Sequence, residues 1–219
     1  HNTTANQYIV VWYGNEEIGG ETNIYGQILD ASGAEVGPDF QISQLGTEES
    51  ADKPTVSYNS VSNEYLVVWL GSLSVYGQRL DAAGNEIGAD DFVINQTSVF
   101  TGTVAIAYSA ANNEYLVAWE SLNVAFDVFV RRLDADGIPI DPAELQISEM
   151  GGGTAARLDA TWNSIDGEYL VVWAGRQESF GTVEVYGQRL DNSGAEVGAD
   201  DFQIGDIDSF GDLGGSVAV

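Results

Sequence analysis

One apolar hexapeptide occurs four times in this chain, and each copy ends in tryptophan. The copies read QYIVVW, EYLVVW, EYLVAW and EYLVVW, and they end at Trp12, Trp69, Trp119 and Trp173. Successive side chains of a strand point to opposite faces, so both faces of this hexapeptide are apolar. A strand covered on one side only would alternate apolar with polar residues. The hexapeptide therefore predicts a strand that is buried on both sides.

Three further runs accompany the hexapeptide in a repeating unit of roughly 50 residues. A lighter run such as TVSY (55–58) precedes it, and a run such as VYGQRLD (75–81) and one such as DFVI (91–94) follow it. We name these runs a to d in chain order, with the hexapeptide as run b. Runs c and d are joined by a link that opens with Asp81 and reaches Gly84, the preference of a type I turn with a left-handed glycine exit.

Four-stranded sheets that stack face to face around an axis bury their middle strands on both sides. The chain begins before a run b and ends in SVAV (216–219), which matches run a. We therefore predict an all-β fold, a β-propeller of four blades of four antiparallel strands, with the C-terminal strand completing the first blade. A segment of a longer propeller or tandem repeat array is the alternative, and strand exchange between copies is a third possibility. The predicted single domain spans 1–219, with units at 1–43 plus 216–219, 53–95, 102–148 and 157–205.

The recurring motifs YLVVW, YGQRLDAAG and F-x-IS resemble those of tandem-repeat β-propeller domains of large secreted or surface-attached bacterial proteins. The resemblance extends over essentially the whole chain and concerns architecture. It implies an extracellular or cell-surface location. The third unit departs from the pattern, because Pro139 and Pro142 enter its c–d link.

The charge balance excludes several classes of partner. The chain has 34 acidic against 7 basic residues and a formal net charge of −27. Such a surface repels nucleic acid, since phosphate binding needs clustered Lys and Arg. No apolar stretch approaches the roughly 18 residues that span a membrane. We predict protein self-assembly or surface glycans as partners, with neither nucleic acid binding nor membrane insertion.

The b–c and d–a links vary in length and composition, and in an up-and-down blade both emerge on one face. Variable loops on a rigid scaffold commonly carry binding sites. We predict a ligand or partner face there, and its candidate residues are aromatic and acidic: Tyr13, Glu16, Glu17, Phe100, Phe126, Phe180 and Phe210.

Calcium is the ion that the sequence suggests most directly. Asp134, Asp136 and Asp141 lie in the c–d link of the third unit, in an Asp-x-Asp-Gly pattern of oxygen ligands. We predict possible Ca²⁺ binding at these residues and no certain cofactor. Nearby, Arg79, Arg132 and Arg189 each precede the Asp of run c by two residues, which predicts a repeated ion-pair ladder.

Sequence offers little catalytic chemistry. The histidine is His1, and the chain has no cysteine, so nucleophile–histidine pairs are not available within the fold. We therefore predict that the chain is not an enzyme. The expected function is a non-catalytic extracellular structural or adhesive repeat module, such as a subunit of a cell-surface or filamentous assembly. A carbohydrate-binding propeller is the alternative, and a glycoside hydrolase or lyase is third.

Overall fold

The computed structural model describes residues 1–15, 20–44, 50–96, 102–122, 126–149, 154–176 and 183–205. These ranges contain fifteen β-strands. They contain no helix long and apolar enough to cross a membrane. The strands are β1 (Gln7–Gly14), β2 (Asn23–Asp30), β3 (Phe40–Gln41), β4 (Asp52–Asn59), β5 (Glu64–Leu70), β6 (Val75–Asp81), β7 (Glu86–Val93), β8 (Val104–Ser109), β9 (Glu114–Leu122), β10 (Phe126–Asp134), β11 (Leu145–Gln146), β12 (Thr154–Asn163), β13 (Glu168–Arg176), β14 (Glu184–Asp191) and β15 (Glu196–Gly205).

The strands form antiparallel sheets that follow the chain order. The blades are β1-β2-β3, β4-β5-β6-β7, β8-β9-β10-β11 and β12-β13-β14-β15, and one parallel bridge between Phe126 and Thr154 joins the last two. The predicted all-β propeller architecture is thus confirmed. The predicted completion of the first blade by residues 216–219 lies outside the described residues.

The second, third and fourth hexapeptide strands lie in the middle of the core, as predicted. In the first copy, Tyr8 and Val10 are 43% and 45% exposed, so the prediction of burial on both sides is wrong there. Trp69 and Trp119 have no exposed surface, and Trp173 is 1% exposed. The opposite side of the same strands is also covered, since Leu66 and Leu116 are fully buried. A strand with both faces covered in this way needs a neighbouring sheet on each side.

Each blade meets its neighbour through the same pair of faces. Tyr, Val and Trp of a hexapeptide form the preceding face, which packs on the blade before it. The intervening Leu and Val form the following face, which packs on the blade after it. In the second interface, Leu66 and Val68 of β5 share an apolar cluster with Tyr115, Val117 and Trp119 of β9.

The c–d turn is retained in all described units, including the third with its proline residues. Asp81 Oδ1 accepts backbone N–H bonds from Ala83 and Asn85, at 2.8 and 2.9 Å. Asp134 Oδ1 accepts the same bonds, from Asp136 and Ile138, each at 2.9 Å. Pro139 follows the last of these donors, so it removes no N–H that the turn uses.

Acidic side chains on run d join consecutive blades. Asp91 accepts the backbone N–H of Gln44, and Asp201 accepts that of Glu149 at 2.8 Å. Burial raises the pKa of Asp91 and of Asp201 to about 6, although these N–H bonds act in the opposite sense. Both carboxyls therefore bind protons more tightly in the folded than in the unfolded chain.

The double substitution Asp91→Asn, Asp201→Asn tests this linkage. The unfolded pKa is near the usual 3.8 and the folded value is about 6, so the wild-type unfolding free energy should fall as pH rises from about 4 to about 6. The variant should lose much of that slope, as measured by urea unfolding across this pH range. Asp39→Asn, the same repeat position on the exposed first blade, is the control and should keep the slope. A wild-type slope retained in the double variant would contradict the prediction.

Paired valine substitutions test the burial of the hexapeptide. Val67 has no exposed surface, whereas Val10 at the same position of the first unit is 45% exposed. Val67→Ala should lower the unfolding free energy by about 2 kcal/mol, and Val10→Ala by less than about 1 kcal/mol. Equal losses in denaturant unfolding would show that the two positions are packed alike.

Candidate functional site

The b–c links and the starts of the inner strands share one face of the propeller, as the sequence predicts. Asp52 at the start of β4 pairs with Leu70 at the end of β5, and Leu70 pairs with Val75 at the start of β6. We call this side the loop face. The inner strands β4, β8 and β12 all begin on it, and they bring residues of three blades together.

Two inner strands begin with the same backbone distortion. Lys53 and Arg157 occupy the same repeat position and have positive φ values of 52° and 55°. Their pairing with the neighbouring strand shifts register beside each residue. Left-handed conformations cost a non-glycine residue of order 1 kcal/mol or more and are frequent at functional sites. Lys53 reaches across to the next blade, where its Nζ donates to the carbonyl of Gly102 at 2.6 Å.

A buried carboxylate lies beside these distorted strands. Glu120 directly follows Trp119 and is only 4% exposed. Its Oε1 accepts the backbone N–H of Arg157 at 2.7 Å and the hydroxyl of Thr103 at 2.9 Å, and the Thr103 N–H approaches it at 3.3 Å. The other oxygen, Oε2, faces Gly102, where an added Cβ would come within 2.6 Å of it.

The surroundings of Glu120 favour its protonated form. Burial raises the pKa of this carboxyl, while the hydrogen bonds from Thr103 and Arg157 and the charge of Lys53 oppose the rise. A carboxyl whose pKa is raised by burial retains a proton at a higher pH than an exposed glutamate does, and it can then act as a general acid. Glu120 is thus chemically distinct from the numerous exposed carboxylates of the chain.

A second carboxylate stands at the start of the neighbouring inner strand. Asp52 is half-buried and directly precedes Lys53. Its Oδ1 is buried and has no hydrogen-bond partner within the described ranges. An acceptor of this kind is costly to leave unsatisfied, so its presence on the loop face calls for an explanation. The described part of the loop face therefore includes the buried Glu120, the half-buried Asp52 and the exposed Lys53.

The sequence analysis did not select Glu120 or Asp52. The available signal was a departure from the repeat, because the residue after the hexapeptide tryptophan is Tyr13, Leu70 and Ala174 in the other units and is charged only at Glu120. A charged side chain in a position otherwise held by apolar or aromatic residues is the kind of residue that burial perturbs.

The predicted ligand-face residues are only partly within the described chain. Tyr13 is 52% exposed near the end of β1, on the loop face. Phe126 begins β10 on the same face. Glu16, Glu17, Phe100, Phe180 and Phe210 lie outside the described residues. The ligand face built from these residues stays a prediction.

The three predicted calcium ligands have protein partners. Asp134 caps its own turn, Asp136 Oδ1 pairs with Arg79 at 2.9 Å, and Asp141 Oδ1 pairs with Arg132 at 2.7 Å. Within the described part of the chain, no group of three or more His, Cys, Asp or Glu residues is arranged to hold a metal ion. Calcium binding stays a prediction, and it would require these carboxylates to exchange their present partners for the ion.

The predicted arginine ladder is present, with different partners from those expected. Arg79 pairs with Glu64 at 2.7 Å, and Arg189 pairs with Glu168 at 2.6 Å. The partner is thus the glutamate that opens the hexapeptide, on the neighbouring strand, rather than the aspartate of run c. These pairs lie on the face opposite the loop face, because the glutamates stand where run b begins.

No protein-family model matches the chain, and no curated protein sequence matches it. Solved structures do match its fold. An N-acetylgalactosamine deacetylase from F. plautii, in complex with blood group B trisaccharide, has a TM-score of 0.53 and 10% identity over 89% of this chain and 69% of its own. An exo-β-1,3-galactanase from Phanerochaete chrysosporium has a TM-score of 0.52 and 13% identity over 90% of this chain and 54% of its own. The GH43 endo-arabinanase from Bacillus licheniformis has a TM-score of 0.52 and 16% identity over 87% and 73%.

These likenesses show the propeller fold and correct one expectation. The chain spans from about half to about three-quarters of the length of the three proteins. All three are named as enzymes, so the prediction that the chain is not an enzyme is contradicted. The resemblance to β-propellers is supported, whereas a specific resemblance to tandem-repeat surface proteins is not.

Thr103→Val tests the hydrogen bonds around Glu120. The Thr103 hydroxyl donates to Glu120 and accepts the backbone N–H of Leu158 at 2.9 Å, so valine removes both bonds at almost constant volume. The unfolding free energy should fall by about 1–3 kcal/mol. The loss should be larger at about pH 8 than at about pH 4, because the ionised Glu120 needs the donor more.

Thr161→Val is the matched control, since Thr161 stands on inner strand β12 and its hydroxyl has no hydrogen bond among the described residues. This substitution should leave the unfolding free energy and its pH dependence nearly unchanged. A Thr103→Val loss that is independent of pH would show that Glu120 is not the group affected.

Proposed function

We propose that this propeller acts on glycans and hydrolyses a glycosidic bond on its loop face, with Glu120 as the proton donor. One observation carries the proposal: a buried glutamate with a raised pKa stands where three inner strands begin. The solved structures with this fold include a galactanase and an arabinanase, which supports a glycan as the substrate class.

The proposed chemistry uses two carboxyl groups in different environments. Glu120 would protonate the oxygen of the leaving sugar, for which a protonated carboxyl near neutral pH is required. Asp52 would supply the second carboxylate that glycoside hydrolysis needs, either for water or for the sugar carbon. Lys53 directly follows Asp52, and its Nζ donates to the carbonyl of Gly102, which lies against Glu120. Its positive charge would balance the negative charge of the two carboxyl groups.

This proposal takes the third of the functions expected from the sequence in place of the structural or adhesive module. Glycans are retained as partners, whereas self-assembly gains no support from the comparisons. An extracellular location belongs to the proposal, since polymeric glycans are encountered there. Secretion from the source cell, measured by fractionation, would test the location.

Glu120→Gln tests the proposed acid. Glutamine retains the acceptor for Arg157 and Thr103 but has no carboxyl proton to donate. Hydrolysis of arabinan or β-1,3-galactan, measured as reducing-sugar release, should fall by a factor of about 10²–10⁴ relative to the unsubstituted chain. The activity of the unsubstituted chain should fall as the pH rises through the raised pKa of Glu120, because the deprotonated carboxyl has no proton to donate.

Glu64→Gln is the control, because Glu64 is an ion-paired glutamate at the opposite end of run b. This variant should retain the activity of the unsubstituted chain. Equal activity of Glu120→Gln and the unsubstituted chain would refute the assignment. Binding of these polymers without any hydrolysis would instead support the carbohydrate-binding alternative, in which exposed Tyr13 is a stacking surface.

A further inference from the structure

The preceding face of the first blade is open, although the same face is covered in the other blades. Tyr8 and Val10 are 43% and 45% exposed, whereas Tyr65 and Val67 at the same positions of the second unit have no exposed surface. A groove of about 530 Å³ runs over this face and is lined by residues that include Trp12 and Leu29. A contiguous apolar surface of this kind marks an interaction site.

The c–d turns show which contact is missing. An added Cβ at Gly84 would come within 2.5 Å of the ring of Phe40, and one at Gly137 within 2.5 Å of the ring of Phe92. In both cases the phenylalanine belongs to run d of the preceding blade. At Gly33, the equivalent residue of the first blade, an added Cβ would have no heavy atom within 4 Å.

A polar contact is missing at the same place. Asp91 and Glu144 each accept a backbone N–H from the end of run d in the preceding blade, from Gln44 and Gln96. Asp39 is their counterpart on the first blade; it is exposed and lines the groove. The open face thus carries the same apolar surface and the same kind of carboxylate acceptor that contact the preceding blade elsewhere in the chain.

The fourth blade does not cover this face. Ile42 and Ile94 end run d of the first two blades and have no exposed surface, whereas Ile204 at the same position of the fourth blade is 52% exposed. The side chain of Arg189 is 47% exposed, against 12% for Arg79. The preceding face of the first blade and the following face of the fourth blade therefore take no part in the inter-blade interfaces that the described residues form.

We propose that the open face is an inter-blade interface, and that its occupant is a further blade of this same repeat. The occupant is specified by the contacts of the other blades. It inserts a run-d phenylalanine over Gly33, donates a backbone N–H to Asp39, and covers Tyr8 and Val10 with the Leu and Val of its following face. A blade of this repeat supplies all three.

A lengthened chain tests the proposal. A copy of residues 53–108 placed before His1 supplies one complete blade and an inner strand for the first blade, and it keeps the link to run b in phase to within one residue. Hydroxyl-radical footprinting with mass spectrometry then reports side-chain exposure at Tyr8 and Trp12. Their reactivity should fall to that of Tyr115 and Trp119, which are fully buried in the same molecule.

The control chain carries only a copy of residues 103–108, which is the inner strand without a blade. Tyr8 and Trp12 should remain as reactive in this control as in the 219-residue chain. Equal protection by the short strand would overturn the proposal. An added blade that stays sensitive to protease, or one that resists protease and leaves Tyr8 reactive, would overturn it as well.

A substitution on the receiving face gives a second readout. Val10→Asp should change the urea midpoint of the 219-residue chain little, because Val10 is exposed there. In the lengthened chain the same substitution buries a carboxylate in an apolar interface, and it should lower the midpoint and restore the reactivity of Tyr8. The same small effect in both chains would contradict burial of Val10 by the added blade.

Discussion

The structure depends on burying the Trp-ended strand on both of its faces. A sheet with one apolar face could stand against a single partner, but β5 carries Trp69 on one side and Leu66 on the other, and both are fully buried. The second blade must therefore lie between two blades, and the same holds for the third, which makes the fold an array whose stability comes from repeated interfaces. The same stacking brings the starts of successive inner strands side by side, and this is how residues far apart in the sequence share the loop face.

The candidate site follows from this arrangement, since the residue after the tryptophan lies on the opposite face of the strand, where the next blade buries it. Where that residue is Leu70, burial of the apolar side chain is favourable, and no ionisable group is affected. Where it is Glu120, the carboxyl loses water and gains donors from Thr103 of its own blade and Arg157 of the next. The desolvation outweighs those donors, so the pKa rises. A departure from the repeat thus places an ionisable group with a raised pKa where the other units carry Leu70 or Ala174.

Local patterns predicted the local structure well. The both-sided apolar run located the buried strands, and the spacing of Asp81 and Gly84 identified a turn whose glycine has a φ of +88°. The ion-pair partners of the arginines were mispredicted because pairing across strands depends on register. The register sets Arg79 opposite Leu66, so that it reaches Glu64 diagonally across the strands rather than pairing with Asp81 of its own strand. The raised pKa of Glu120 was inaccessible for a related reason, since its burial is produced by a different blade. The exposure of the preceding face of the first blade could not be predicted, because it depends on the angle between successive blades. That angle results from many small packing contacts and has no sequence motif.

The candidate site and the open face lie on different blades. The donors to Glu120 come from Thr103 and Arg157, at the interface of the third and fourth blades, so they are complete in the present chain. The inner strands that surround the loop-face opening belong to three blades, and the first blade contributes none among the described residues. Under the proposed function, a substrate held there would meet Glu120 on one side, whereas on the other side the described residues of the first blade provide no inner strand. If the proposed function and the proposed further blade both hold, that blade would act mainly on substrate binding and on the exclusion of water, and it would leave the protonation of Glu120 as it is.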